Sequence, residues 1–218
     1  MPDSTEGQGR NSLRRVPKQE RSRDRIDEIL KVSMDLIGRK GIDAVTMKEI
    51  AALSGGPIAS VYQYFPNKSA IIGMLYERYV DEVRSFVFDH IKGIRTSEEA
   101  LEAAIALFDF YYHQMRERPS TQDLLNAIQA DKRLADLDIT ETRIQADMFY
   151  EATLQFVIEA RRKDYRDTLL VIFHMAGSTL RLALMVPQDE AGQLVKQFKS
   201  IIHAQANFYL KGSFPATL

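Results

Sequence analysis

The 218 residues include no cysteine and no tryptophan. Without thiols the chain can form neither a disulfide nor a thiolate metal site, and a reducing compartment fits. An excess of charge is missing too: 29 basic against 30 acidic residues leave −1, a total that by itself names no partner. No run reaches the roughly 18 uninterrupted apolar residues of a spanning helix. The nearest, residues 169–186, is broken by His174, Ser178, Thr179 and Arg181. The first residues are polar and hold no apolar core of a secretion signal. Phosphate-cradling glycine loops, HExxH and G-x-S-x-G are absent, and His90, His113, His174 and His203 are far apart. The sequence therefore predicts a soluble, cytoplasmic, non-enzymatic protein without cofactor, metal or membrane association.

What is present is charge segregation and helical period. Residues 10–25 carry seven basic side chains against Glu20 and Asp24, whereas residues 81–218 carry sixteen basic and twenty acidic ones. One end can attract phosphate while the rest repels it; the same run also reads as a solvated tail. Residues 1–18, rich in Pro, Gly, Ser and Arg, are expected to be a disordered basic arm. Beyond them Ile26, Ile29, Leu30, Met34 and Ile37 mark an amphipathic helix that should stop at Gly38–Gly41, with Gly41 left-handed.

Thr46-Met-Lys-Glu49 and Thr96 with Glu99 read as reciprocal capping boxes. The first opens a short helix, Met47 to Leu53. A second short helix is expected from Pro57, at its first position, to Tyr64. Longer helices follow from Lys68, from Ser97 to near Pro119, over residues 121–130, over residues 139–160 after an irregular link, from Asp167 to Val186 and from Glu190 to Leu210. The reading is all-α, in about nine helices.

Two short helices joined by Ser54-Gly55-Gly56 form a helix-turn-helix, with Ile50, Leu53, Ile58, Val61 and Phe65 available for its small core. A second helix of one or two turns suits a major groove about 12 Å wide. Tyrosine hydroxyls can donate to phosphate oxygens, or serve as satisfied core groups; Lys68 opens the next helix.

The segment from Arg25 to Leu75, above all TMKEIAALSGGPIASVYQYFPNKSAII, closely resembles the DNA-binding domain of the TetR family of bacterial transcriptional regulators. The resemblance implies a helix-turn-helix domain over residues 19–66 and a helical effector-binding and dimerisation domain over residues 67–218. It implies phosphate contacts from Thr46, Tyr62, Tyr64 and Lys68, and base contacts from Pro57, Ile58, Ala59, Ser60 and Gln63. The turn departs from the family pattern: Gly56 replaces an aliphatic residue, and Pro57 stands where serine or threonine is common. Ile58 and Ala59 suit a thymine methyl and Gln63 an adenine, so A·T is expected at the centre of each half-site. The arginine arm would favour narrow A·T minor grooves.

Residues 169–186 are apolar nearly all round, and Ala176-Gly177-Ser178 permits close helix approach. The last helix carries Leu194, Phe198, Ile201, Gln205 and Phe208 at near-heptad spacing. Together these form either a buried hairpin or, as the resemblance implies, a two-fold dimer interface through Ala176, Leu180, Leu184, Leu194, Phe198, Ile201, Gln205 and Phe208.

A pocket is expected where Phe108, Tyr111, Tyr112 and Met115 face Met148, Phe149, Ala152 and Phe156, with Phe173 a further candidate contact. His113, Gln129 and His174 are its candidate polar anchors, and plain core packing is the competing reading. The expected partners are double-stranded operator DNA, a small apolar or aromatic effector and a second copy of the chain; repression is the family's commoner mode. The alternative is a helical adaptor with a degenerate DNA-binding head.

Overall fold

The computed structural model describes residues 18–210. The basic arm lies outside the described residues apart from Lys18. The elements, in order, are α1 (Lys18–Lys40), α2 (Met47–Leu53), α3 (Ile58–Tyr62), α4 (Lys68–Ile91), α5 (Ser97–Glu117), α6 (Pro119–Ala130), α7 (Lys132–Thr153), α8 (Arg162–Met185) and α9 (Gln188–Leu210). Two 3₁₀ turns, Leu154–Phe156 and Glu159–Arg161, join α7 to α8. There is no strand among the described residues, and the all-α class stands.

Local chemistry sets the boundaries. α1 stops at Gly41, whose φ of 74° is left-handed and whose amide closes on the Ile37 carbonyl at 2.9 Å. Thr46 and Thr96 accept hydrogen bonds from the Glu49 and Glu99 amides at 3.2 and 3.1 Å. Neither glutamate completes the expected reciprocal box. The Glu49 carboxylate pairs with Lys40, and Glu99 accepts from the Arg95 amide at 2.7 Å, one residue early.

Several expected boundaries need correction. α3 is shorter than residues 57–64, and Pro57 is its N-cap, at φ −66° and ψ 150°, not its first helical residue. The irregular link before residue 139 is helix: the Asp131 carboxylate accepts from the Arg133 and Leu134 amides and starts α7 at Lys132. α7 ends at Thr153, whose hydroxyl turns back to the Phe149 carbonyl. Leu53 and Ile58, expected in the head's core, are exposed.

The core is built in two connected parts. The first joins Ile29, Ile50, Val61 and Phe65 of the head to Phe108, Ile128, Leu180 and Phe198 behind it. The second gathers Val87, Leu107, Phe149, Tyr165 and Leu169 further along. α4 takes part in both and, with 24 residues, spans about 36 Å. The segment Glu159–Met185 is long and apolar enough to cross a membrane, yet little of it is buried within the chain. That leaves an outward row of Val171, Met175, Leu182 and Met185, the last 78% exposed.

Candidate functional site

The first site is the outer face of the helix pair. Ile50, Ala51, Val61 and Phe65 are buried beneath it, and Gly55 turns the chain at φ 75°. Because α3 is fastened from below by Val61 and Phe65, its other side is free. Ile58 (40% exposed), Tyr62 (48% exposed), Pro57, Ala59 and Gln63 stand in solvent, and Thr46 is exposed beside them. The Thr46 oxygen accepts from the Glu49 amide, leaving its own proton to donate outward.

Two expected contact residues make contacts within the head. Lys68 donates to the Ile42 and Val45 carbonyls at 2.7 and 3.2 Å, so its ammonium secures the loop between α1 and α2. Tyr64 is half-buried and packs against the head's core.

The turn explains its own glycine. The Arg25 guanidinium crosses from α1 beneath it, donating through Nε to the Ser60 hydroxyl at 3.1 Å and through Nη1 to the Ser54 carbonyl. A Cβ at Gly56 would lie 2.8 Å from Nη2 of the same arginine. Gly56 therefore admits a cation under the exposed helix. Ser60 accepts from Arg25 and keeps its proton for an outside acceptor. Nη2 is buried without a hydrogen-bond partner among the described residues. Arg25 was not among the sequence candidates, and only its place in the basic run pointed to it.

The second site lies behind the head. An apolar cavity between α5, α7, α8 and α9 brings together Phe108, Tyr111, Phe149 and Phe173 of the expected pocket. Phe198, Ile202 and Gln205 of α9 close it. Phe108 and Phe198 meet at a tilt of 43° with centroids 4.7 Å apart, and the Phe149 and Phe173 centroids lie 6.1 Å apart. A second, more polar cavity shares Tyr111, Phe173 and Ala176 with the first, and there Met115, Gln129 and His174 are found. Its wall is a network: Tyr76 and Gln129 donate to Asp138 at 2.6 and 2.7 Å, while Arg84 pairs with Glu141. Burial raises the Tyr76, Tyr79, Tyr111 and Tyr165 hydroxyls well above the ordinary phenol range, and the Asp138 hydrogen bond adds to this at Tyr76. All four are protonated at neutral pH.

Tyr112, Met148, Ala152 and Phe156 line neither cavity; they pack as partly buried residues against the core. His113 is exposed and also lines neither. Of the expected interface residues, Leu180 and Phe198 are buried within the chain, at 0% and 2% exposure. Ala176 and Gln205 line cavities. Leu184, Leu194 and Phe208 are half-buried, and Ile201 is exposed. The outward apolar side of α8 is instead Val171, Met175, Leu182 and Met185.

A helix-turn-helix head on a helical domain that encloses an apolar cavity defines the class. Residues 29–74 match the family model described as bacterial regulatory proteins, tetR family. Residues 98–206 match the model described as tetracyclin repressor-like, C-terminal domain. The chain belongs to the TetR family of bacterial transcriptional regulators. Solved structures share the fold. A TetR-family transcriptional regulator from Streptomyces coelicolor superposes with a TM-score of 0.66 at 20% identity, covering 84% of this chain and 96% of that one. A complex of SmeT with triclosan gives 0.67 at 14% identity, covering 89% and 96%. The fatty acid degradation regulator FadR from Bacillus halodurans gives 0.63 at 16%, covering 82% and 94%. No curated protein matches the sequence.

Proposed function

We propose that the chain is a repressor that binds a palindromic operator as a homodimer and is released by a small, apolar or aromatic effector. The observation that carries the reading is the free face of α3: Ile58, Ala59, Tyr62 and Gln63 are exposed on a helix held rigidly from beneath. An apolar face of this kind, with one amide and one phenol, suits thymine methyls, adenine and phosphate. Residues 19–66 serve as the reading head and residues 67–218 as the effector and dimer domain. Thr46, Tyr62 and the free proton of Ser60 meet the DNA, while Lys68 and Tyr64 hold the head's shape.

The apolar rows of α8 and α9 favour a second copy of the chain as partner. Val171, Met175, Ser178, Leu182 and Met185 follow heptad spacing, as do Leu194, Ile201 and Phe208. Two such helices from each copy make a two-fold, four-helix contact. The apolar cavity supports the effector, and a relative of the same fold is a complex with triclosan. Binding would shift a population between head spacings that fit and misfit the operator.

The test is selection from fragmented genomic DNA of the source organism by the purified protein at near-physiological salt. A recovered palindrome with half-sites about one helical turn apart supports the reading. Salt-sensitive binding without any enriched sequence contradicts it and favours the adaptor alternative, because counterion release alone gives that slope.

A further inference from the structure

α3 is five residues long, too short to hold its own shape. Val61 and Phe65 fasten its far end from below, but Pro57 gives its entry no side-chain cap. A hydrogen bond reaches its first turn from another helix instead. Arg25 of α1 donates through Nε to the Ser60 hydroxyl at 3.1 Å, and through Nη1 to the carbonyl of Ser54, the C-cap of α2. One planar guanidinium thus bridges the exit of one helix and the entry of the next, a two-point grip that its rigid fork suits.

The turn is built around this cation. Gly55 has the positive φ and makes the bend, whereas the φ of Gly56 is not left-handed, so its backbone would accept a side chain. What excludes one is space: a Cβ there would lie 2.8 Å from Nη2 and 3.3 Å from Cζ of Arg25. The grip also has a cost. Nη2 is buried without a hydrogen-bond partner, and no carboxylate pairs with the guanidinium, among the described residues. A buried unpaired donor is unfavourable, and such exceptions are expected where function sets the geometry.

We infer that Arg25 is a positioning residue for sequence reading. By locking the first turn of α3 to the end of α2, it fixes how Ile58, Ala59 and Gln63 are presented. It therefore sets the preference for the operator over other DNA, not the overall attraction to DNA. Arg25 is not itself a DNA contact: Nη2 is enclosed beneath the turn, and Nε and Nη1 already donate inside the head. Phosphate attraction tolerates a small rotation of α3, whereas the amide and methyl contacts that read base edges do not.

This inference rests on α3 being the reading helix. It is tested by anisotropy with the full chain as wild type, Arg25→Met, Gly56→Ala and the double variant. Each is titrated, over a range of salt, on the selected operator and on a scrambled duplex of the same length and composition. Arg25→Met and Gly56→Ala each lower operator affinity about tenfold, while the scrambled duplex is bound within about twofold of wild type and the salt slope is kept. The double variant is no worse than Arg25→Met alone, because the methyl then has no guanidinium to displace. A slope lower by about one, with both duplexes weakened alike, makes Arg25 a phosphate contact and overturns the inference. Additive losses in the double variant overturn it too. If Arg25→Met does not fold, Gly56→Ala decides alone, since it moves the guanidinium without removing it. Variants that keep the full preference for an operator enriched by the wild type overturn this inference and leave the proposed function standing. A wild type that enriches no operator removes the proposed function, and the inference falls with it.

Discussion

A methyl group at Gly56 would press on Nη2 of Arg25 at 2.8 Å, and what yields is the far end of a flexible side chain. Gly56→Ala therefore costs little stability, under about 1 kcal/mol, but displaces the guanidinium that orients Ser60. Operator affinity, measured by fluorescence anisotropy, should fall about tenfold while the melting temperature barely moves. Wild-type affinity in that variant would show that the arginine has no part in positioning α3. Lys68 gives the opposite pattern. Its ammonium satisfies two loop carbonyls, so Lys68→Met should destabilise the fold by about 1 to 3 kcal/mol. The melting temperature should drop by about 3 to 10 °C. A lysine that served only phosphate would leave melting unchanged and lower the salt slope by about one. From sequence the family motif pointed Lys68 at DNA; the carbonyls it binds lie 23 and 26 residues earlier, a contact no local pattern reports.

Elements with one apolar stripe were legible, and those without were not. α1 and α4 show their buried sides as regular spacing, Gly41 announces the end of α1, and Thr46 and Thr96 announce the starts of α2 and α5. α7 begins in Lys-Arg-Leu-Ala-Asp-Leu-Asp, where Leu134 is buried and Leu137 exposed; charge at that density conceals the period that Asp131 starts. α8 is apolar nearly all round, so its sequence cannot say which side turns inward. Packing against α7 and α9 decides it, placing Leu180 inside and Leu182 and Met185 outside. The dimer prediction belongs to this scale. Leu182→Asp with Ile201→Asp sets charges on both outward rows, and sedimentation at micromolar concentration should find monomers of retained helicity. A doubly substituted chain that remains dimeric would place the contact elsewhere.

For the molecule as a whole, α4 is the physical link. Its start, with Ile71 and Ile72, lies under the reading head, and its far end, with Val83 and Val87, belongs to the core around the effector domain. A rigid helix of about 36 Å carries a small displacement at one end to the other. The class of protein was legible from one quarter of the chain, because a DNA groove constrains a short helix tightly. The cavity was only half legible, since aromatics that line a space and aromatics that fill one look alike in sequence. On the proposed function, the effector site and the reading head are coupled within one molecule. That coupling is decided by anisotropy of the labelled, selected operator, titrated with protein with and without a saturating small aromatic ligand of the cavity. Operator binding should be at least about tenfold weaker with the ligand, within the usual range of allosteric coupling. Superimposable curves, with the ligand shown calorimetrically to be bound, would contradict it.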